Sequence, residues 1–219
     1  LAKSAKTLQI PLSDTQEAIA QQITRLLKAS KIQNGSLNIY LTSGTNQADT
    51  PLKFIAPKLI IKIKSNTAIT PQNTTATFQK IHYPRGPLDC HKTLHYAHNI
   101  LELQRSTHPP ILVDHNETLL ECPAGALILI KGNTLHFPSH PHILPSVMTA
   151  YIKDHAKEWG FKTQTTTIKR NTVDTFSEIC QCNAVHGIIT ITNIQNSPLK
   201  SSHLVEKLAH NINRHIQTL

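Results

Sequence analysis

Lys92 lies in the stretch LDCHKTLHYAHNILELQR, between two histidines and at the start of a predicted amphipathic helix. A lysine in the first turn of a helix is usually a solvated charge, and its cation opposes the helix dipole. This position favours the neutral amine, which is the form that attacks carbonyl groups. The residue types therefore allow three roles for Lys92: a surface charge, part of a histidine metal site, or a nucleophile.

Three features downstream could act together with this lysine. Glu121 ends the predicted strand TLLE before the small-residue bend CPAGAL, so it brings a carboxylate into an apolar region, although an edge-strand glutamate is the simpler interpretation. The helix predicted to begin at Ser146 and Val147 offers backbone N–H groups, and such helix ends attract phosphate. Asn183 precedes a glycine turn, where its amide can either hydrogen-bond an anion or simply form the turn.

These residue types together match the requirements of pyridoxal 5'-phosphate. The cofactor needs a lysine amine for covalent attachment, a carboxylate that keeps the pyridine nitrogen protonated, and N–H donors for its phosphate. Each feature alone is weak, because most lysines are surface charges and most helix starts bind nothing. The residues alone therefore suggest this cofactor but leave other functions open.

The overall charge has a different explanation from nucleic-acid binding. Among 219 residues, 22 lysines and arginines face 13 aspartates and glutamates, for a formal charge of +9. The lysines are scattered singly along the chain, as on a solvated surface, and form no basic run. The sequence therefore predicts no nucleic-acid partner. It contains no apolar run long enough to cross a bilayer, so no membrane partner is predicted either.

Histidines and cysteines are the remaining candidates for chemistry. The segment HFPSHPH contains His136, His140 and His142, but prolines interrupt it and no carboxylate lies nearby in the sequence. We therefore predict a loop and no metal site. The four cysteines form no CxxC pair, and this usage is typical of reduced thiols in a cytoplasmic protein.

The first 81 residues are predicted to form a small α+β domain. Asp14 is a candidate N-cap and Glu17 completes a capping box, followed by apolar residues at helical spacing up to about Ser30. Three strands follow, at 36–42, at 58–64 and, more weakly, at 76–81, with polar connections at 42–51 and 65–75.

The segment HYPRGPLD, with two prolines and a glycine, is the predicted boundary, so residues 82–91 are assigned to an interdomain linker. Residues 92–219 are assigned to a large cofactor-binding domain. Its predicted elements are a helix at 92–106, a hairpin in ILVDHNETLLE, a hairpin in ALILIKGNTLHFP, a helix from Ser146 toward Gly160, a strand in FKTQTTTIK, a short helix in VDTFSEI, strands in ICQCN and GIITITNI, and a closing helix that begins at Ser201 and Ser202.

From about Pro87 onward, the chain resembles the fold-type IV pyridoxal-phosphate enzymes, which include branched-chain and D-amino-acid aminotransferases and aminodeoxychorismate lyase. The family's K-x-x-N-x-L segment corresponds to KTLHYAHN, with His95 in place of the asparagine. ECPAGALILIKGNTLHFP reproduces the family's order of glutamate, small residues, strand, glycine turn and proline, and is most similar to the lyase branch. CNAVHGIITIT resembles the lyase's Cys-Asn-Ala segment.

The resemblance implies a role for each candidate residue. Lys92 would hold the cofactor as a Schiff base and move protons, and Glu121 would face the pyridine nitrogen. By the same resemblance, backbone N–H groups at Ser146 and Val147, with Asn183 and Ala184, would hold the phosphate.

The resemblance also implies the architecture and the reaction. It implies an α+β protein of two domains with the D-amino-acid aminotransferase-like (fold-type IV) architecture, whose arginine-bearing N-terminal hairpin is either missing or upstream of Leu1. A homodimer acting on a small molecule is expected. The predicted function is that of 4-amino-4-deoxychorismate lyase, which gives 4-aminobenzoate and pyruvate in folate synthesis. The alternatives are a class IV aminotransferase for branched-chain or D-amino acids, or an inactive homologue.

Overall fold

A computed structural model of the chain describes residues 1–45, 56–65, 72–195, 197–200 and 202–218. The chain divides into two compact units, Leu1–Ala68 and Ile69–Leu219. The predicted polar connections at 42–51 and 65–75 fall partly on residues outside these ranges, as does Ser201 at the predicted start of the last helix.

The first unit contains two helices and a two-stranded antiparallel sheet. Its elements are α1 (Ala2–Thr7), α2 (Gln16–Ser30), β1 (Gly35–Leu41) and β2 (Leu59–Ser65). The Thr15 hydroxyl accepts a hydrogen bond from the Ala18 N–H, so Thr15 rather than the predicted Asp14 is the N-cap of α2. Threonine and aspartate cap helices by the same contact, so the sequence identified the cap within one residue.

The described residues of the second unit contain three helices and eight strands. They are β3 (Gln72–Lys80), α3 (Ala97–Gln104), β4 (Pro110–Val113), β5 (Ala126–Lys131), β6 (Thr134–Pro138), α4 (Val147–His155), β7 (Lys162–Thr166), β8 (Glu178–Asn183), β9 (Gly187–Ile194), β10 (Ser197–Pro198) and α5 (Leu204–Ile216). A 3-10 helix, Arg170–Thr175, precedes β8.

These strands form one sheet in the order β4-β3-β9-β8-β5-β6-β7, with β10 paired to β9. The sheet curls back on itself. Residues 118–122 continue it beyond β4, because the Leu120 N–H donates to the Leu112 carbonyl and the Leu112 N–H donates to the Glu121 carbonyl. Thr118 then pairs with Lys169, just after β7. The result is a barrel-like sheet with an interior and an exterior face.

Alternate residues of β5 belong to two different cores. Ile128 and Ile130 pack outside the sheet against α4 and α5, where Ile152 and Leu208 are fully buried. Leu127 and Leu129 point to the interior, where the partners are Ile111, Leu119, Ile179 and Ile191. Since successive strand residues face opposite sides of a sheet, a strand buried on both faces becomes an unbroken apolar run such as ALILI.

The division between the two units falls earlier than the predicted linker at 82–91. We assigned the strand at 76–81 to the small domain, but β3 is parallel to β4 and to β9 in the sheet of the second unit. These partners lie far away in the sequence, so no local pattern could indicate the pairing. None of the helices among the described residues is long and apolar enough to cross a membrane.

Candidate active site

Glu121 is a buried carboxylate on the strand segment beside β4. Only 7% of the residue is exposed. Burial raises its carboxyl pKa, the Arg85 charge and a hydrogen bond from the Leu144 N–H lower it, nearby Asp89 raises it, and Lys92 lowers it. Burial is the largest of these effects, so the pKa is about 7, well above the ordinary value of 4.5. Glu121 can therefore both hold and release a proton near neutral pH.

Arg85 is a site residue that the sequence analysis missed. Its side chain is 9% exposed, and Nη2 lies 3.5 Å from Oε1 of Glu121. The same guanidinium lies 3.3 Å from Oδ1 of Asp89 and donates to Oδ1 of Asn99 at 3.2 Å. The available signal was an arginine inside HYPRGPLD, but two prolines and a glycine made that segment look like a solvated linker.

Lys92 lies in a loop and not in a helix, which corrects the predicted helix at 92–106. The helix α3 begins at Ala97 and ends at Gln104, so the argument from the helix dipole does not apply to Lys92. The side chain is exposed, with Nζ 5.6 Å from the centre of the Tyr96 ring. It is close enough to Glu121 for its charge to lower the carboxyl pKa. Structure therefore brings the predicted lysine and carboxylate together.

Ser146 is the N-cap of α4, so the helix starts where it was predicted to start. Its hydroxyl accepts from the Thr149 N–H at 3.3 Å, and its carbonyl accepts from the Ala150 N–H at 3.1 Å. The earlier N–H groups of the helix, beginning with Val147, have no acceptor within the first turn of a helix. Val147 is 72% exposed. The start of α4 can therefore donate to an anion.

Asn183 shapes the turn between β8 and β9. Its Oδ1 accepts from the Val185 N–H at 2.9 Å and from the His186 N–H at 2.7 Å. Its Nδ2 donates to the Ala124 carbonyl at 3.0 Å. The side chain is thus engaged as a turn former, which is the alternative that the sequence left open, and Ala184 lies within the turn that it closes.

Three contacts gather these segments at one end of the sheet. The segment before α4 reaches Glu121 through the Leu144 N–H. Ser146 at the start of α4 hydrogen-bonds the buried thiol of Cys182, which directly precedes Asn183. The bend after Glu121 lies against β8, because a Cβ on Gly125 would be 2.6 Å from the Cys182 carbonyl oxygen. A carboxylate, a helix start and a strand-end turn therefore surround one place, with Lys92 beside it.

Two other features lie apart from this arrangement. His140 Nε2 is 3.9 Å from Oδ2 of Asp114, and no group of three potential metal ligands occurs among the described residues. An open groove of about 710 Å³ is lined by residues that include Phe78, Glu117, Lys169 and Arg170. Its lining includes none of the predicted site residues.

The sequence of the chain matches the family model of amino-transferase class IV over residues 1–194. The chain belongs to the class IV aminotransferase family. The members of this family are pyridoxal-phosphate enzymes, which include aminotransferases and a lyase. The expected resemblance, the expectation of an enzyme and the expected cofactor are thereby confirmed at the level of the family.

Solved structures confirm the α+β fold-type IV architecture. A candidate 4-amino-4-deoxychorismate lyase from Legionella pneumophila superposes with a TM-score of 0.88 at 18% identity, over 97% of this chain and 82% of that chain. A branched-chain aminotransferase from Thermoproteus uzoniensis, crystallised with norvaline, gives 0.90 at 14% identity, over 100% and 77%. A hypothetical aminotransferase from Mycobacterium tuberculosis in its PLP-bound form gives 0.82 at 15% identity, over 99% and 81%.

No curated protein matches the chain in sequence. At these identities the structural likeness establishes the fold of this class IV chain and not its substrate. The reaction has to be argued from the site.

Proposed function

We propose that this protein is a pyridoxal-phosphate-dependent lyase of the 4-amino-4-deoxychorismate lyase type, which releases 4-aminobenzoate and pyruvate. The observation that carries the proposal is the buried Glu121 carboxyl, with its pKa of about 7, beside a lysine, a helix start and a strand-end turn. The lyase is favoured over the aminotransferase by the CPAGAL and CNAVHG segments, which resemble the lyase branch.

The residues present fit pyridoxal phosphate. Glu121 offers an acidic oxygen that can share a proton with the pyridine nitrogen, because a carboxyl with a pKa near 7 is matched to such an exchange. The start of α4 at Ser146 and Val147, next to the turn at Asn183 and Ala184, offers backbone donors for a phosphate. Lys92 would hold the cofactor through Nζ, and its loop position leaves this atom accessible.

The chain's own groups then divide the proton transfers. When bound, the cofactor withdraws electrons from the bonds of the substrate's amine-bearing carbon. Lys92 Nζ would take the proton from that carbon as the side chain leaves as pyruvate, and Nζ would return a proton to the leaving fragment. Glu121 would keep its proton on the ring nitrogen during these steps, and Arg85 would prevent the carboxyl from becoming too basic.

The first experiment asks whether Lys92 carries the cofactor. Pyridoxal phosphate is added to the purified protein, the mixture is reduced with borohydride, and the peptides are analysed by mass spectrometry. We expect one cofactor adduct, on the peptide that contains Lys92, and none in Lys92→Ala. Lys131→Ala, an exposed lysine in the β5–β6 turn, is the matched control and should retain the adduct. An adduct elsewhere, or none, contradicts the proposal and favours the inactive homologue.

The second experiment separates the lyase from the aminotransferase. The protein is incubated with 4-amino-4-deoxychorismate, and 4-aminobenzoate and pyruvate are quantified. In parallel, branched-chain and D-amino acids are assayed for 2-oxoglutarate-dependent amino transfer. Release of both products in equal amounts supports the lyase, whereas amino transfer alone supports the class IV aminotransferase.

We also propose a cytoplasmic homodimer. Four large apolar side chains around Lys92 and on α3 are exposed in the described structure: Leu88, Leu94, Ile100 and Leu103. Exposed apolar residues in one stretch are typical of an interface between copies. Sedimentation should give a dimer that Leu94→Glu with Ile100→Glu converts to a monomer. A wild-type monomer at micromolar concentration contradicts this. The four free cysteines are typical of a reducing compartment.

A further inference from the structure

The helix α3 is anchored to the end of β3 by a buried glutamate. Glu102 is 3% exposed, and its carboxylate accepts from the His82 N–H at 3.1 Å, from the His82 ring and from Gln79 Nε2. Gln79 Nε2 also donates to the Glu102 carbonyl at 3.1 Å. These contacts fix α3, and with it the face on which Asn99 lies one turn earlier.

Asn99 connects two parts of the candidate site. Its Oδ1 accepts from Nη2 of Arg85 at 3.2 Å, and its Nδ2 donates to the Pro123 carbonyl at 3.5 Å, two residues after Glu121. The same Nη2 of Arg85 is the atom that faces Oε1 of Glu121. One asparagine thus touches both the arginine and the chain segment that carries the carboxylate.

Arg85 has two competing anionic partners. Nη1 faces Asp89, which also accepts from the Gly86 N–H at 2.7 Å and is therefore fixed in its own turn. The contact with Glu121 is longer, at 3.5 Å against 3.3 Å for Asp89. Without Asn99 on the Nη2 side, the guanidinium is expected to move toward Asp89. A cavity of about 10 Å³ beside these residues, lined by both Arg85 and Asn99, has room for about one water.

We propose that Asn99 is a positioning residue that holds the Arg85 guanidinium against Glu121 and thereby controls the charge of that carboxyl. The other titratable groups around the pair are Asp89, Lys92, Cys122 and His140, with His98 and Glu102 on the cavity side of Arg85. The inference deepens the proposed function, since the charge of Glu121 decides whether it can hold a proton on a ring nitrogen. Its test needs no cofactor.

The experiment measures the pKa of Glu121 in cofactor-free protein. The chain has seven glutamates, so protein labelled with ¹³C at the glutamate carboxyl gives seven signals, and Glu121→Gln identifies the signal of Glu121. Arg85→Met should raise the Glu121 pKa by about one pH unit or more, because an opposite charge at this distance lowers a carboxyl pKa by about that amount. Asn99→Ala should raise it in the same direction by roughly half as much.

A double mutant tests whether Asn99 acts through Arg85. In the Arg85→Met background, Asn99→Ala should leave the Glu121 pKa unchanged. An equal shift in both backgrounds, or no shift in the wild-type background, overturns the proposal. Gln104→Ala removes an exposed amide from the same helix and serves as the matched control without effect. If Asn99→Ala fails to fold, Asn99→Ser replaces it, because serine loses the same contacts with a smaller change in packing. The same shifts of the Glu121 pKa are then expected, and the same results overturn the proposal.

The outcome is independent of the proposed reaction. If no cofactor adduct forms at Lys92 but the Glu121 pKa responds to Asn99 through Arg85, the proposed function fails and the positioning role stands. If the adduct forms and the pKa does not respond, the positioning role fails alone. With the cofactor bound, Asn99→Ala should shift the pH profile of kcat with little change in the substrate KM.

Discussion

Glu102 and Glu121 are both buried carboxylates of the second unit, yet their pKa values move in opposite directions. For Glu102, burial raises the pKa, but hydrogen bonds from the His82 N–H, from Gln79 and from the His82 ring outweigh it, and the pKa falls below its ordinary value. Glu121 has one N–H donor and an arginine at 3.5 Å, so burial prevails. A carboxylate surrounded by donors is a structural anchor, whereas one left short of donors can exchange a proton.

Glu178 belongs with Glu102 in this comparison. It is 5% exposed, and it accepts from the N–H groups of Ser202, Leu204 and Val205 and from the Ser202 hydroxyl. These donors lie at the start of α5, where the N-cap residue His203 makes no capping contact through its own side chain. Glu178 therefore caps a helix from a neighbouring strand.

The largest effect is expected for Glu178→Leu. This change removes the acceptor of several N–H groups at the start of α5, so the free energy of unfolding should fall by roughly 3 to 5 kcal/mol. Urea unfolding followed by circular dichroism measures it. Glu178→Gln keeps one acceptor oxygen and should cost less than half as much. Equal costs for the two variants would mean that the acceptor is unimportant and would remove Glu178 from the structural class.

Glu121→Gln tests the other side of the comparison. The folded-state pKa of about 7 lies above the ordinary 4.5, so Glu121 favours folding fully below pH 4.5, and this contribution is lost as the pH rises toward 7. The lost contribution is about 3 kcal/mol. Between pH 4.5 and pH 8, the wild-type protein without cofactor should therefore lose about 3 kcal/mol more unfolding free energy than Glu121→Gln. Parallel pH profiles would mean that the pKa of Glu121 is not raised on folding and would contradict the comparison.

Gly125→Ala tests how firmly the backbone near Glu121 is held. The new Cβ would meet the Cys182 carbonyl oxygen at 2.6 Å, and that oxygen belongs to a central strand that cannot move freely. We expect a loss of about 1 to 3 kcal/mol of unfolding free energy. Gly86→Ala is the control, because a Cβ there meets nothing within 4 Å, and its midpoint in urea should not change. Similar losses in both variants would contradict the close approach.

His82→Ala should have the smallest effect. The His82 side chain is half-exposed, and its backbone N–H continues to donate to Glu102 after the ring is removed. Only the weaker ring contact is lost, so the expected cost is about 1 kcal/mol or less. Thermal unfolding at neutral pH measures it. A loss as large as that of Glu178→Leu would show that the ring, and not the set of backbone and amide donors, keeps Glu102 ionised.

The candidate site was predictable in part. The turns in CPAGAL and CNAVHG and the helix start at Ser146 are local features, and the structure has them where they were predicted. Arg85 was missed because its partners, Asn99 and Glu121, lie in segments that no periodicity connects to it. The helix at Lys92 was predicted to begin too early, because TLHY has apolar and polar residues at helical spacing. In the structure these residues belong to the loop that follows the turns at 86–91, and the helix begins at Ala97.

The sequence by itself determined the local elements: the start of α4, the start of α2 to within one residue, the β5–β6 hairpin and the unbroken apolar run of β5. These depend on backbone geometry and on which faces are apolar, and both are visible within a few residues. Only the tertiary structure decided that β3 joins β4 and β9, and that Arg85 lies against Glu121. Parallel strand pairs and buried ion pairs join residues that are far apart in the chain. They stabilise the fold only after the sheet has brought these residues together, so no local sequence pattern indicates them.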